Sequence, residues 1–244
     1  MRSKRETGLT LIEVIIAVSL VGLLSVGMLT AIRIGLGAMG RANEHLMDNR
    51  RVANTRKVLE AEIAGFVPVT AIYRPEQEDR PQSMMFFEGE PQSMRFVSSY
   101  SLGEAWRGDP QILEFQVIPG EKNFGVRLIV NEWRYTGPRS AGIFCLGHVA
   151  DPTTGAQLPR FRPIEAGPHS FVLADKLRYC RFSYLERMPQ PRWQMWHDSW
   201  ILPRWPNGVR IEMEPLEEKA GHLSLGTLVA PLRVNRSPDY GFSD

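Results

Sequence analysis

The polarity pattern of this chain changes character twice. Residues 14–32 are nineteen positions without one charge, about the length of helix that crosses a bilayer. Arg2, Lys4 and Arg5 stand just before them, and basic residues on that side favour a cytoplasmic N-terminus. Glu13 lies at the edge of the apolar run. A charge inside a membrane helix costs on the order of 3 kcal/mol, so a carboxylate there calls for a partner and a purpose.

From Arg33 to about Gly65 there is no proline and polar residues increase. Ile32, Met39, Leu46 and Ala53 recur every seven residues, with Val52, Leu59 and Ile63 near the same face. That is an apolar stripe on a polar helix. Arg50, Arg51, Arg56 and Lys57 are expected on the solvated side with Asp48, Glu60 and Glu62. Gly65 and Pro68 are stop signals. One helix over residues 9–64 would be about 80 Å long at 1.5 Å per residue. The other reading is two helices with a break at Gly35-Leu36-Gly37, since glycine costs about 1 kcal/mol per site in a helix.

After Gly65 the period shortens to two, the signature of strands. Residues 83–87 and 93–98, separated by Glu88-Gly89-Glu90-Pro91, predict a β-hairpin. Further strands are expected at 112–118, 126–135, 177–185, 193–200, 209–213 and 223–234. Pro119-Gly120, Gly137-Pro138 and Pro206-Asn207-Gly208 punctuate them. Residues 151–169, rich in Pro, Gly and Thr, read as a long surface loop.

Gly8-Leu9-Thr10-Leu11-Ile12-Glu13-Val14 resembles the class III signal of type IV pilins and type II secretion pseudopilins. The resemblance implies that a prepilin peptidase cuts between Gly8 and Leu9 and methylates the new N-terminus. That family usually has Phe where Leu9 stands, an apolar departure. It also implies that Glu13 attracts the free amine of a neighbouring subunit. An ammonium and a carboxylate attract strongly at low dielectric, and each offsets the other's cost of leaving water. A cleaved secretory signal would have a shorter apolar core and a small-residue cut site after it. A plain signal anchor explains the length but neither Gly8 nor Glu13.

A second resemblance covers about forty residues. Leu177-Arg178-Tyr179-Cys180-Arg181-Phe182-Ser183-Tyr184 is followed by Trp193, Trp196 and Trp200, then Leu202-Pro203-Arg204, then Val209-Arg210-Ile211-Glu212-Met213. The order is similar to the J-type minor pseudopilin of type II secretion. The major pseudopilin is shorter, and the K-type subunit is longer and typically lacks the glutamate matched by Glu13.

Bulk composition narrows the functional classes. Hydrophobic content of 43% and charged content of 23% are ordinary for a globular protein. A net charge of +2 lacks the pronounced basic surface of a nucleic-acid binder. Cys145 and Cys180 would meet an oxidising compartment if exported. A disulfide between them and two separate buried thiols both remain open. His197-Asp198-Ser199 puts three triad residue types side by side, but neighbours in sequence do not point at one another. Cys145 and His148 have metal-ligand spacing without a second pair. No phosphate-binding glycine loop follows a strand. Trp193, Trp196, Trp200 and Trp205 suit core and an interface anchor.

The expectation is therefore an α+β, pilin-like chain, one long N-terminal helix packed on antiparallel β-sheet. Residues 1–8 are a leader, 9–32 a transmembrane and filament-core helix, 33–65 an amphipathic helix, and 66–244 a periplasmic β-rich domain. The resemblance implies a non-enzymatic minor pseudopilin at the tip of a periplasmic pseudopilus, anchored in the bacterial inner membrane. Its partners would be the prepilin peptidase/methyltransferase, other minor and major pseudopilins, and membrane lipid. No cofactor, metal, nucleic acid or small-molecule substrate is expected. The alternatives are a minor pilin of a type IV pilus or competence system and a signal-anchored periplasmic enzyme. Sequence assigns processing to Gly8 and Leu9, assembly to Glu13, and an interface to Trp193, Trp196 and Trp200.

Overall fold

A computed structural model describes residues 10–75, 80–103, 106–150, 155, 157–168, 170–188, 193–217 and 224–232. The chain divides into two compact units, Met1–Asn49 and Arg50–Asp244. Helix α1, Leu11–Ala64, begins in the first unit, and its last turns belong to the second.

In the first unit α1 is unbroken through Gly35-Leu36-Gly37, so the two-helix reading is not what forms. The Thr10 carbonyl receives the first helical bonds, from the N–H groups of Glu13 and Val14 at 3.1 and 3.3 Å. A span of 30 residues, Leu11–Gly40, is long and apolar enough to cross a membrane, and none of it is buried within the chain. At 1.5 Å per residue it is about 45 Å long, against a hydrocarbon core of about 30 Å.

The second unit is built on an antiparallel sheet. Its strands in chain order are β1 (Phe66–Val67), β2 (Thr70–Tyr73), β3 (Gln82–Met85), β4 (Glu88–Gly89), β5 (Ser93–Ser101), β6 (Trp106–Pro119) and β7 (Val126–Arg134). A short helix α2 (Pro138–Gly142) follows, then β8 (Cys145–Ala150), β9 (Gln157–Phe161), β10 (Phe171–Met188), β11 (Trp193–His197), β12 (Gly208–Pro215) and β13 (Thr227–Pro231). The main sheet runs β1-β5-β6-β7-β10-β12-β13, with β4 on β5 and β11 on β10. Two small sheets, β2-β3 and β8-β9, complete the unit.

Alternation along the strands gives the sheet two buried faces. Met94, Phe96, Leu113, Phe115, Phe182, Tyr184 and Ile211 form one core with Leu59 and Ile63 of α1. Val97 and Ile112 face the other way, into a second core with Tyr73, Met84, Phe86 and Phe161 from the small sheets. The helix is fastened to the first face by hydrogen bonds as well as by burial. Thr55 Oγ1 donates to the Leu173 carbonyl at 2.8 Å. Ser98 Oγ donates to the Glu62 carbonyl at 2.8 Å, satisfying an acceptor that a helix end leaves open.

The helix face that docks carries Thr55, Leu59, Glu62 and Ile63, all buried, with Val52 and Val58 partly buried. This corrects the sevenfold stripe, because Ile32, Met39, Leu46 and Ala53 are exposed. It also corrects Glu62, which has no exposed surface rather than a solvated position.

The expected hairpin of 83–87 with 93–98 is also corrected. Met84 pairs with Ala71 and Ser83 with Ile72, so β3 joins β2. The turn that does form is tighter: Glu88 pairs with Arg95 and Gly89 with Met94. Gly89 is needed there, since a Cβ would lie 2.8 Å from the Tyr184 ring and 2.9 Å from Trp200. Gly142 has the same role at the end of α2, where a Cβ would meet the Ile72 carbonyl at 1.9 Å. Within the expected loop of 151–169, residues 157–161 form β9. The last expected strand is shorter than 223–234 among the described residues, Thr227–Pro231.

Candidate functional site

Gly8 and Leu9 lie outside the described residues. Glu13 stands in the first turn of α1, exposed. The partial positive charge of a helix N-terminus favours a carboxylate at that position. The polar side chains that follow are closed onto the helix itself. Ser19 Oγ donates to the Ile15 carbonyl at 2.8 Å, Ser25 Oγ to Val21 at 2.8 Å, and Thr30 Oγ1 to Val26 at 2.7 Å. With these hydroxyls satisfied, the helix presents an apolar surface that suits lipid or other apolar helices, where an unpaired polar group is costly. Leu24 and Met39, 72% and 73% exposed, typify that surface.

The tryptophan segment separates into two environments. Trp200 is 4% exposed and lies in the main core, its indole N–H donating to the Arg204 carbonyl at 2.6 Å. Its assignment to an interface is corrected to a core role. Trp193 and Trp196 are half-buried on β11. The Arg210 guanidinium lies 4.7 Å from the centre of the Trp196 ring, a cation–π contact. Met195 and Ile201 beside them are exposed. Trp205 packs edge-on against Phe66 at 5.7 Å.

The two cysteines are free and buried in different cores, Cys180 in that of α1 and Cys145 in that of the small sheets. Burial pushes both thiols up to about 12. A thiol held protonated is a poor nucleophile and a poor metal ligand. His148, three residues after Cys145, instead places Nδ1 3.1 Å from the Tyr73 hydroxyl. Among the described residues, no three His, Cys, Asp or Glu side chains form a group able to hold a metal ion. His197 turns to Glu186, with Nε2 2.7 Å from Oε2, and Arg204 closes on the other oxygen of Glu186. The His197 ring is thus engaged by Glu186.

Arg95 and Glu114, both buried, are given no role by the sequence pattern, and the buried Glu62 is there expected in solvent. Arg95, fully buried on β5, ties the main sheet to the β8-β9 sheet. Its Nε donates to Glu114 Oε1 at 2.8 Å, and Nη2 donates to the Arg162 carbonyl at 2.8 Å. Nη1 bonds Glu88. Its guanidinium lies 5.3 Å from the Phe144 ring and 5.5 Å from Phe161. Trp133 Nε1 and Asn131 Nδ2 donate to the second oxygen of Glu114 at 2.7 and 3.2 Å. Glu88 is pushed up to about 7 by burial, against the pull of Arg95. A signal was available: Arg95 shares a strand face with Val97, and alternation puts it inside. Glu62 likewise lies three residues after Leu59 on the docking face. A cleft of about 450 Å³ lies over this region, bordered by Glu88, Glu90, Pro159, Arg160 and Ile201.

The fold is an N-terminal apolar helix followed by an antiparallel, β-rich domain, an α+β pilin-like architecture. The prokaryotic N-terminal methylation motif matches residues 3–29. That match supports a protein of the type IV pilin and pseudopilin kind, processed by prepilin peptidase and assembled with other pilins, anchored by the apolar helix. No curated protein matches the chain.

Proposed function

We propose that the protein is a structural minor pseudopilin of a type II secretion system, of the J type, assembling at the tip of a periplasmic pseudopilus. The observation that carries the reading is the methylation motif over residues 3–29 on a helix whose apolar side chains are exposed from Leu11 to Gly40. An apolar helix of that kind is stable only in lipid or against other apolar helices, and pilus assembly offers both in turn. The J-type assignment draws support from the segment that suggested it. Of that segment, residues 177–188, 193–197 and 208–213 lie on adjoining strands, with β11 and β12 both paired to β10.

The work of such a subunit is binding. After removal of residues 1–8, the Leu9 amine of one subunit would pair with the Glu13 carboxylate of its neighbour. Outward side chains of α1 would pack against sibling helices. The domain would face the periplasm and meet sibling subunits through Trp193, Trp196 and the adjacent Met195 and Ile201.

The test is assembly. Glu13→Leu should insert into the membrane at least as well as the native chain, since a desolvated carboxylate is lost. It should co-purify with sibling minor pseudopilins in clearly reduced yield, because the neighbour's ammonium has lost its partner. Equal recovery of the complex would refute the Glu13 contact. Co-purification with type IV pilus subunits alone would refute assignment to secretion.

A further inference from the structure

Glu62 is the one buried side chain whose carboxylate has no hydrogen-bond partner at either oxygen, among the described residues. It has no exposed surface. It lies in the final turn of α1, where the helix dipole presents its negative end. A second carboxylate, Glu132 of β7, acts on it. Glu132 is provided for: the Gly103 N–H donates to it at 3.1 Å, Ser101 Oγ at 3.3 Å, and the Leu102 N–H also bonds it. From β5, Ser98 turns its hydroxyl to the Glu62 main-chain carbonyl, not to the carboxylate. Glu60, the other acid of that turn, is exposed and paired with Arg56. No cation described reaches Glu62.

A carboxylate with no donor, no water-facing surface and a negative neighbour has two ways to exist, as a neutral acid or against a bound cation. The absence of a third ligating side chain among the described residues favours the proton. We propose that Glu62 is a proton-operated latch: as the neutral acid it seats the last turn of α1 on the sheet, and loss of its proton loosens that seat. The direction of the coupling follows from burial. Burial first, then Glu132, raises Glu62 well above the ordinary carboxylate value of 4.5. The unfolded chain then gives up this proton at lower pH than the folded one. Stability from Glu62 is full below the ordinary value and declines as pH rises towards the folded one.

Full-length protein in detergent micelles tests the latch by urea unfolding between pH 5 and 9, with hydrogen exchange of the amides of residues 58–66. The native chain should show an unfolding constant that rises with pH, Glu62 contributing up to about tenfold per pH unit, the slope of one linked proton, beside the share of the raised Glu88. Glu62→Gln should remove that share of the slope, raise the urea midpoint at pH 8, and slow exchange across the helix end. Glu132→Gln keeps the latch but relieves the repulsion, so the slope should end at lower pH. Difference infrared spectra at pH 7 should show a protonated-carboxyl band in the native chain that Glu62→Gln lacks. The proposal is overturned if Glu62→Gln leaves both slope and band unchanged. It is also overturned if the band is absent and calcium or magnesium stabilises the native chain but not Glu62→Gln, which would make this a cation site.

Discussion

Replacing Arg95 with Met would test how the domain's second face is held. Met keeps most of the buried volume and removes the charge. The change deletes the bonds to Glu114 and Glu88, the bond to the Arg162 carbonyl, and the stacking on Phe144 and Phe161. Glu88 and Glu114 are then left without their cation, with side-chain exposures of only 14% and 4%. Breaking a buried pair by removing one partner costs about 3–5 kcal/mol. For a unit of this size that corresponds to a fall in melting temperature of roughly 10 °C. The penalty should depend on pH. Glu88 is already raised to about 7 by burial while Arg95 pulls it down, so losing Arg95 raises it further. Protonation relieves the orphaned carboxylate, and the deficit should be largest in alkali and shrink as pH falls. Urea or thermal unfolding of native and Arg95→Met proteins at pH 5 and pH 8 measures both effects. Adding Glu88→Gln and Glu114→Gln should return much of the loss, because a neutral network need not carry buried charge. A cost below about 1 kcal/mol, or one independent of pH, would refute the reasoning.

Three further outcomes can be measured directly. Co-expression with a prepilin peptidase should remove residues 1–8 and leave a methylated Leu9, read by intact mass; Gly8→Leu should block the cut, and cleavage beyond the apolar run would contradict the pilin reading. Trp200→Ala should destabilise the domain by about 3–5 kcal/mol, as expected for a large core side chain. Trp196→Ala should leave the melting temperature within a few degrees and weaken sibling-subunit binding at least tenfold, the size typical of an aromatic interface anchor. Equal losses of stability in the two mutants would place Trp196 in the core as well.

Features set by local pattern were legible from residue order alone. Nineteen uncharged residues, a basic flank and Glu13 are enough to specify an apolar helix with a carboxylate in its first turn. Proline-free sequence up to Gly65 is enough to carry that helix to Ala64. Period-two stretches located the strands at 112–118, 126–135 and 209–213, because alternation is a property of consecutive residues. Tertiary structure decided which strands pair and which polar groups are buried. Residues 83–87 alternate well enough to be a strand, yet their partner is Thr70–Tyr73 and not the strand that follows. That choice depends on where the sheet's second face needs cover. Nothing local distinguishes Trp200 from Trp196, but one lies under Gly89 and Tyr184 while the other stacks on Arg210. Glu62 and Arg95 show the same division most sharply. Their faces can be read from spacing, but a charge is buried only when distant segments close over it. Arg95 is closed over with two carboxylates and two rings, and Glu62 with no donor at all. The free energy that decides between water and interior comes from those non-local contacts.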